Sequence, residues 1–468
     1  MEYESREVKW YWLILFVAFC GVSVYLLFSG NPYLYSHVEL RSSITQGDAR
    51  SRTTIPEKPE VPAKVGAATY YPRYQFERTA LDPQSAPRSR NFEEYERFDV
   101  ALELPKFEVQ HVTFDANGFY VASKGPWVAA IGPTGQVLWK YKFLQMPEDK
   151  VLWPVLVDEA NAYLIHPQGH LVCLEKLTGK LRWVLDLNGE VVAAPFMWQS
   201  QLALPVKVGS ALQLQVVNRL DGKFAVTIPK LDLKPGFNVT YSSELELLVF
   251  TSDSKVMAIS PEDWTLQWSQ TLTEPARGPA MAVEHSLFIP SIGAKLFKLD
   301  GSRKGKLDWE TDLEKPAMGS MAYLPIMDRL SLIDSAGALQ VVDLKTGKSL
   351  WRYGLEVSRS APFLEPWSAR LKGQNIEEFK MDWLHKGWTV WSPCGDRRIC
   401  LFTPNKGQLM QRIQLSHTPL SLPLALNKRL LFLGASKAGK LSVMHLVEEA
   451  EVKRLKPEAA RQEQKQVQ

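Results

Sequence analysis

"VDLKTGKSLW", Val342 to Trp351, is the stretch whose reading decides the fold. A short apolar strand enters a polar turn containing Gly347, and a second strand opens toward Trp351, which is the pattern of a β-hairpin. The phrase recurs. It reads "IGPTGQVLW" to Trp139, "LEKLTGKLRW" to Trp183, "NRLDGKFAV" around Phe224, "ISPEDWTLQW" to Trp268 and "LDGSRKGKLDW" to Trp309, at spacings of 41 to 44 residues. A weaker copy, "FTPNKGQLM", ends at Met410. Repetition at roughly 40–45 residues marks the blades of a β-propeller, each a four-stranded antiparallel sheet set around a central channel.

The hairpin supplies the two outer strands of a blade, and two inner strands should precede it. They do in Val151 to Leu187, where four short apolar runs are separated by turns. The same order fits Ala193 to Pro229, Gly236 to Leu272, Gly278 to Leu313 and Gly319 to Leu355, with an earlier unit from about Val109 to Phe143. A seventh unit begins near Ser360 and is interrupted by what reads as an inserted loop over 365–386. Pro419 to Val447 then offers three strands and no fourth. Counting back 41 residues from Trp139 lands on Phe98, in "YERFDVALEL" (Tyr95 to Leu104), which alternates like an outer strand. The expectation is an all-β, eight-bladed propeller over 95–447, closed by this N-terminal strand, with seven blades as the alternative. Closure leaves only short protected edges. Trp139, Trp183, Trp268, Trp309 and Trp351 hold equivalent positions, and these five and Phe224 are expected to pack between blades. Gly135, Gly179, Gly222, Gly305 and Gly347 are expected to supply positive φ in the turns.

Before the repeats lie other segments. Residues 1–9 form a short flank, and Trp10 to Phe28 is a run of nineteen residues without a charge, long enough to cross a bilayer as a helix. Trp10, Tyr11 and Trp12 sit at one end like an interfacial belt. The run is long for a signal peptide and continues past Cys20, whose preceding residues match a lipoprotein box poorly. The expected placement is single-pass in a bacterial inner membrane, N-terminus cytoplasmic and propeller periplasmic. Residues 29–94 read as an extended, Pro-rich linker. Within it Tyr70, Tyr71, Tyr74 and Phe76 could dock onto a partner, or equally onto the chain's own propeller. Residues 448–468 read as a flexible charged tail. Net charge is +4 with no basic stripe, which argues against nucleic acid.

"LEKLTGKLRW" and "VDLKTGKSLW" resemble the repeat of the PQQ-like, eight-bladed propeller superfamily, over roughly Tyr95 to Val447. The resemblance implies one of two branches. One holds quinoprotein dehydrogenases, with calcium, an Asp base and usually adjacent cysteines. The other holds non-catalytic envelope scaffolds similar to BamB. No adjacent Cys pair occurs here, and Asp158, Asp186, Asp221, Asp253, Asp300, Asp334 and Asp343 do not assemble into a calcium set by spacing. His166 and His170 flank a Pro-Gln-Gly turn that reads as surface. No catalytic, cofactor or metal residue is therefore assigned. Cys394 and Cys400 could bridge a hairpin outside the cytoplasm, or remain two free thiols. The expected function is a membrane-anchored, non-enzymatic scaffold, contacting envelope proteins of a multi-subunit complex. The alternatives are a quinone-dependent oxidoreductase, a small-ligand or glycan sensor using the channel, and a lumenal propeller glycosylated at Asn238, where "NVT" is an acceptor sequon.

Overall fold

The computed structural model describes residues 37–40, 92–102, 108–143, 150–228, 230–318, 321–324, 328–355, 367–370, 388–395, 397–403, 405–421, 423–426 and 429–448. They form eight antiparallel sheets, one per blade. Blade 1 is Glu108–Asp115, Gly118–Lys124, Trp127–Ile131 and Val137–Lys142. Blade 2 is Leu156–Val157, Asn161–His166, His170–Glu175 and Leu181–Asp186. Blade 3 is built on Gln201–Val208, Ala211–Asn218 and Phe224–Ile228, its inner edge split between Glu190–Val191 and Phe196–Trp198. Blades 4, 5 and 6 begin at Asn238, Met281 and Ala322 and end at Thr271, Asp312 and Gly354.

Blade 7 takes its first strand, Trp367–Arg370, from the start of the stretch that reads in sequence as an insertion. Its other strands are Trp388–Pro393, Arg398–Phe402 and Leu409–Gln414. Blade 8 carries Arg429–Ala435 and Leu441–Glu448, and its outer strand is Phe92–Asp99 from the other end of the chain. Phe92 pairs with Glu448 and Asp99 with Ser442, so the ring is closed by the N-terminal strand. Polar contacts reinforce the seam. The Ser416 backbone N–H and hydroxyl donate to the Glu94 carboxylate, Arg429 donates to Glu96 at 3.0 Å, and the Ser442 hydroxyl donates to Asp99 at 2.9 Å.

The apolar core lies between blades. Burial on both faces of the middle strands gives near-continuous apolar runs such as Asn161–His166, all six residues of which are buried. One cluster joins Trp139 and Tyr141 of blade 1 to Leu164 and Val172 of blade 2, and another joins Leu296 of blade 5 to Leu330 and Val342 of blade 6. One further element departs from expectation. A fifth strand, His37–Leu40, adds to the outer edge of blade 1, pairing Leu40 with Trp139 and His37 with Lys142. Trp10 to Phe28, the aromatic segment Tyr70, Tyr71, Tyr74 and Phe76, and the tail beyond residue 448 lie outside the described residues. Among the described residues no helix is long and apolar enough to cross a membrane.

Candidate interaction surface

The repeated aromatics sit where the next blade's turn meets them. A Cβ added at Gly179 would stand 2.6 Å from Trp139 Cγ, and one at Gly407 2.4 Å from Trp351. Gly222, Gly305 and Gly347 lie in the same way against Trp183, Trp268 and Trp309. Gly135 lies against Phe98, so Phe98 plays for blade 8 the part Trp139 plays for blade 1. The Trp139 indole N–H also donates to the Lys176 carbonyl at 2.7 Å.

Phe224 does not belong to the set. It is 47% exposed, like Leu181, Leu266 and Leu307 at the same register position of their blades, and Val226, four residues after Gly222, holds the place of Trp183. The interface of blade 3 with blade 4 is filled from the next turn, which has no glycine. Trp264 occupies the left-handed position at φ 59° and is 6% exposed. It joins the cluster holding Leu214 and Val216 of blade 3 and Leu248 and Ile259 of blade 4. The indole between these blades therefore comes from the following turn, with Val226 at the place the repeat gives to Trp.

A second repeated device has no counterpart in the sequence reading. Tyr120 donates to Asp115, five residues earlier, and the Lys176 ammonium reaches the same carboxylate at 2.8 Å from blade 2. One blade on, Tyr163 donates to Asp158 at 2.7 Å, and Arg219 reaches it at 3.1 Å from blade 3. In both cases the tyrosine follows by five residues and the cation by 61. Burial opposes ionisation of Asp158. The Tyr163 hydroxyl, the Ala160 and Asn161 amides and the Arg219 charge nevertheless hold its carboxyl below the ordinary value. Asp334 is fully buried, accepts the Ala336 and Ala338 amides, and pairs with Arg352 at 2.7 Å. These carboxylates are spent on turns and on ties between blades. Among the described residues no three His, Cys, Asp or Glu side chains gather as metal ligands.

The remaining candidates are placed as follows. Cys394 and Cys400 form a disulfide within blade 7, with Cα atoms 5.7 Å apart, while Cys173 is a buried thiol pushed up to about 12 by burial. The His166–His170 turn reaches the surface at Gln168, but it is partly covered and His166 beneath it is buried. The connection to blade 3 lies over it, with Leu187 N–H donating to the Gly169 carbonyl and Val191 N–H to that of Pro167. His166 is 3% exposed, accepts the Gln168 amide at Nδ1 and packs 5.2 Å from the Phe143 ring. Burial pushes both histidines down to about 4, with Asp186 partly offsetting this at His170. The Asn238 sequon lies in the innermost strand of blade 4. Its Thr240 is buried, with the hydroxyl donated to the Ala280 carbonyl.

The sequence profile of the family described as outer membrane protein assembly factor BamB matches residues 124–275 and 252–419. The chain belongs to this family. Among solved structures, BamB from Moraxella catarrhalis is similar with 16% identity and TM-score 0.53, over 76% of this chain and 97% of that one. Quinohemoprotein alcohol dehydrogenase from Comamonas testosteroni aligns with TM-score 0.60 and 12% identity, over 81% of this chain and 80% of that one. Sqt1 from Saccharomyces cerevisiae aligns with TM-score 0.53 and 12% identity, over 76% and 98%. At these identities the three share the fold alone. No curated protein sequence matches the chain. Membership in the BamB family makes the chain a non-catalytic propeller that works by protein interaction in an envelope complex. It also corrects the expected location. The family is one of outer-membrane assembly, so placement as a single-pass inner-membrane protein does not hold. A run of apolar residues reports the thickness of the layer it can fill and not which membrane supplies it.

Proposed function

We propose that this propeller is a docking scaffold in outer-membrane protein assembly, holding envelope partners at its rim while its interior serves only to keep the ring rigid. The observation that carries this reading is the family match across residues 124–419. The use of Asp115, Asp158 and Asp334 as ties between or within blades supports it. A scaffold needs a shape that does not yield, and those contacts provide one. In this reading the N-terminal segment, with its apolar run, attaches the ring to a membrane, and Tyr70, Tyr71, Tyr74 and Phe76 are contact residues for a partner. Propeller edges and turns offer partners both main-chain pairing and side-chain anchoring. The test is purification of the full-length protein from native membranes in mild detergent, with co-purifying subunits identified by mass spectrometry. A stoichiometric set of outer-membrane assembly proteins is the expected result. A lone protein carrying a chromophore that absorbs visible light would overturn the scaffold reading in favour of the quinone-dependent alternative.

A further inference from the structure

Strands alternate in direction within each blade, so the turn between the second and third strands shares one end of the ring with the connection to the next blade. The turns between first and second and between third and fourth strands share the opposite end. On the former end, blades 7, 8 and 1 carry a run of cations. Arg397 lies in the second turn of blade 7, Lys437 and Lys440 lie in that of blade 8, and Lys124 enters that of blade 1. Lys142 closes the outer strand of blade 1, and Lys150 follows on the connection to blade 2, its carbonyl accepting the Gly125 amide. All but Lys142 are exposed, and among the described residues none of these cations is held in an ion pair. Two carboxylates nearby are engaged. Glu108, opposite Lys124 in the strand pair, accepts from Gln110, and Asp99 is held by Arg97 and Ser442. Glu148, Asp149 and Asp396 adjoin the cations in sequence, are fewer than they are, and lie outside the described residues. Elsewhere on this end the charge is mixed. Lys234, Lys255 and Arg352 pair with Asp253, Asp232 and Asp334, and blade 2 contributes Asp186 and Glu190.

We propose that this sector of the ring is a membrane-contact face, resting on the anionic phospholipid headgroups of the bilayer that holds the N-terminal apolar run. The inference rests on the reading that this run attaches the ring to a membrane. The occupant is argued from the path of the chain. His37 pairs with Lys142, so the chain reaches the ring at this corner, and only the residues 29–36 separate Phe28 from His37. Fully extended, that stretch spans at most about 30 Å, so the corner of blade 1 is the part of the ring tied nearest to the run. Cations are drawn to an anionic leaflet within a Debye length, about 8 Å at physiological salt. The Lys142 ammonium lies 5.2 Å from the Trp127 ring centroid, and Val151 beside Lys150 is 38% exposed. That mixture of cation, aromatic and apolar surface suits a headgroup layer. The opposite end is less suited, because the first turns of blades 2, 4 and 5 expose Glu159, Glu244, Glu246 and Glu284 there.

The test uses the full-length protein with Cys20→Ser and a single fluorescent label at Val151→Cys or at Leu220→Cys. Leu220 is 80% exposed on the opposite end, and Cys173 is buried away from the label. The protein is reconstituted into phosphatidylcholine vesicles with and without an equal part of phosphatidylglycerol. Lipids carrying a nitroxide on the headgroup should quench the label at 151, and not that at 220, when phosphatidylglycerol is present. The quenching at 151 should fall to the level at 220 without phosphatidylglycerol, at high salt, and in a variant combining Lys124→Glu, Lys437→Glu and Lys440→Glu with an unchanged circular dichroism spectrum. In every case the protein should still float with the vesicles, because the run holds it. Flotation with no difference between 151 and 220 overturns the membrane face and leaves the anchoring reading standing. Protein that stays at the bottom of the gradient overturns both. An unquenched label at 151, together with loss of a co-purifying protein from native membranes in the combined variant, also overturns the proposal, because the sector then serves an acidic protein partner.

Discussion

Trp264 is the sharpest test of how the ring is packed. Trp264→Gly removes a nearly fully buried indole, a change that costs roughly 3–5 kcal/mol in a core. It also relieves a non-glycine residue held at φ 59°, worth roughly 1–2 kcal/mol. The net loss should be about 2–3 kcal/mol. Val226→Trp alone should change stability by less than about 0.5 kcal/mol, because residue 226 is 40% exposed and the slot its side chain would enter is filled. Together the two substitutions rebuild the arrangement of the neighbouring interface, where Trp183 lies over Gly222. The indole introduced at position 226 can then turn inward over the glycine introduced at position 264. The double variant should recover at least about 1.5 kcal/mol relative to the sum of the singles, well outside the additivity expected of independent sites. The assay is urea unfolding followed by far-ultraviolet circular dichroism, comparing midpoints at constant slope. Strict additivity would refute the claim that Trp264 stands in for the missing repeat aromatic.

His166 is expected to set an acid limit on stability. Its folded value of about 4 lies below the ordinary 6.5, so the unfolded chain binds more protons between those values and stability falls as pH drops through that window. Full protonation corresponds to about 3 kcal/mol. His166→Phe should reduce the fall of the thermal midpoint from pH 7 to 4 without abolishing it, because His170 is pushed down to about 4 as well. Arg219→Ala strands a buried carboxylate against Tyr163 and should cost roughly 3–5 kcal/mol by urea unfolding, whereas a loss under about 1 kcal/mol would show that the tie is ornamental. Cys394→Ser opens a short loop with a sequence separation of 6 and should cost about 2 kcal/mol, with no further loss on adding reductant to the variant.

What can be read in the chain is set by how local the signal is. Gly347 and Trp351 lie four residues apart, so hairpin and aromatic announce themselves together, and counting by the period reaches Phe98 even though its strand belongs to the opposite end of the ring. The tie of Asp158, Tyr163 and Arg219 spans 61 residues and carries no local pattern. It becomes visible only when Asp115, Tyr120 and Lys176 are laid over it at the blade period. Phe224 misleads for the opposite reason. It lies two residues after Gly222, whereas Trp139, Trp183, Trp309 and Trp351 each lie four after their glycines, so the matching residue is Val226 and the indole comes from Trp264, which in sequence is only a bulky residue in a polar turn. His166 reads as exposed because its Pro-Gln-Gly turn is polar, while the covering residues Leu187 and Val191 belong to the next connection.

The same contrast bears on function. A ring shared with an alcohol dehydrogenase and a BamB protein fixes the architecture and leaves the task open, since tasks reside in sites carried by a fold. Here the interior carboxylates are committed to turns and blade ties, so variation that matters for partners is pushed to the rim. Blade 3 is where the ring departs most from the repeat, in the residue at its aromatic position and in its neighbouring turn. In a repeat protein each blade satisfies its packing by the common rule, so a blade that fills its interface by another route is free to vary at the position the rule would fix. Trp264 supplies the indole from the following turn, and Val226 therefore stands where blades 1, 2, 4, 5 and 6 place a Trp.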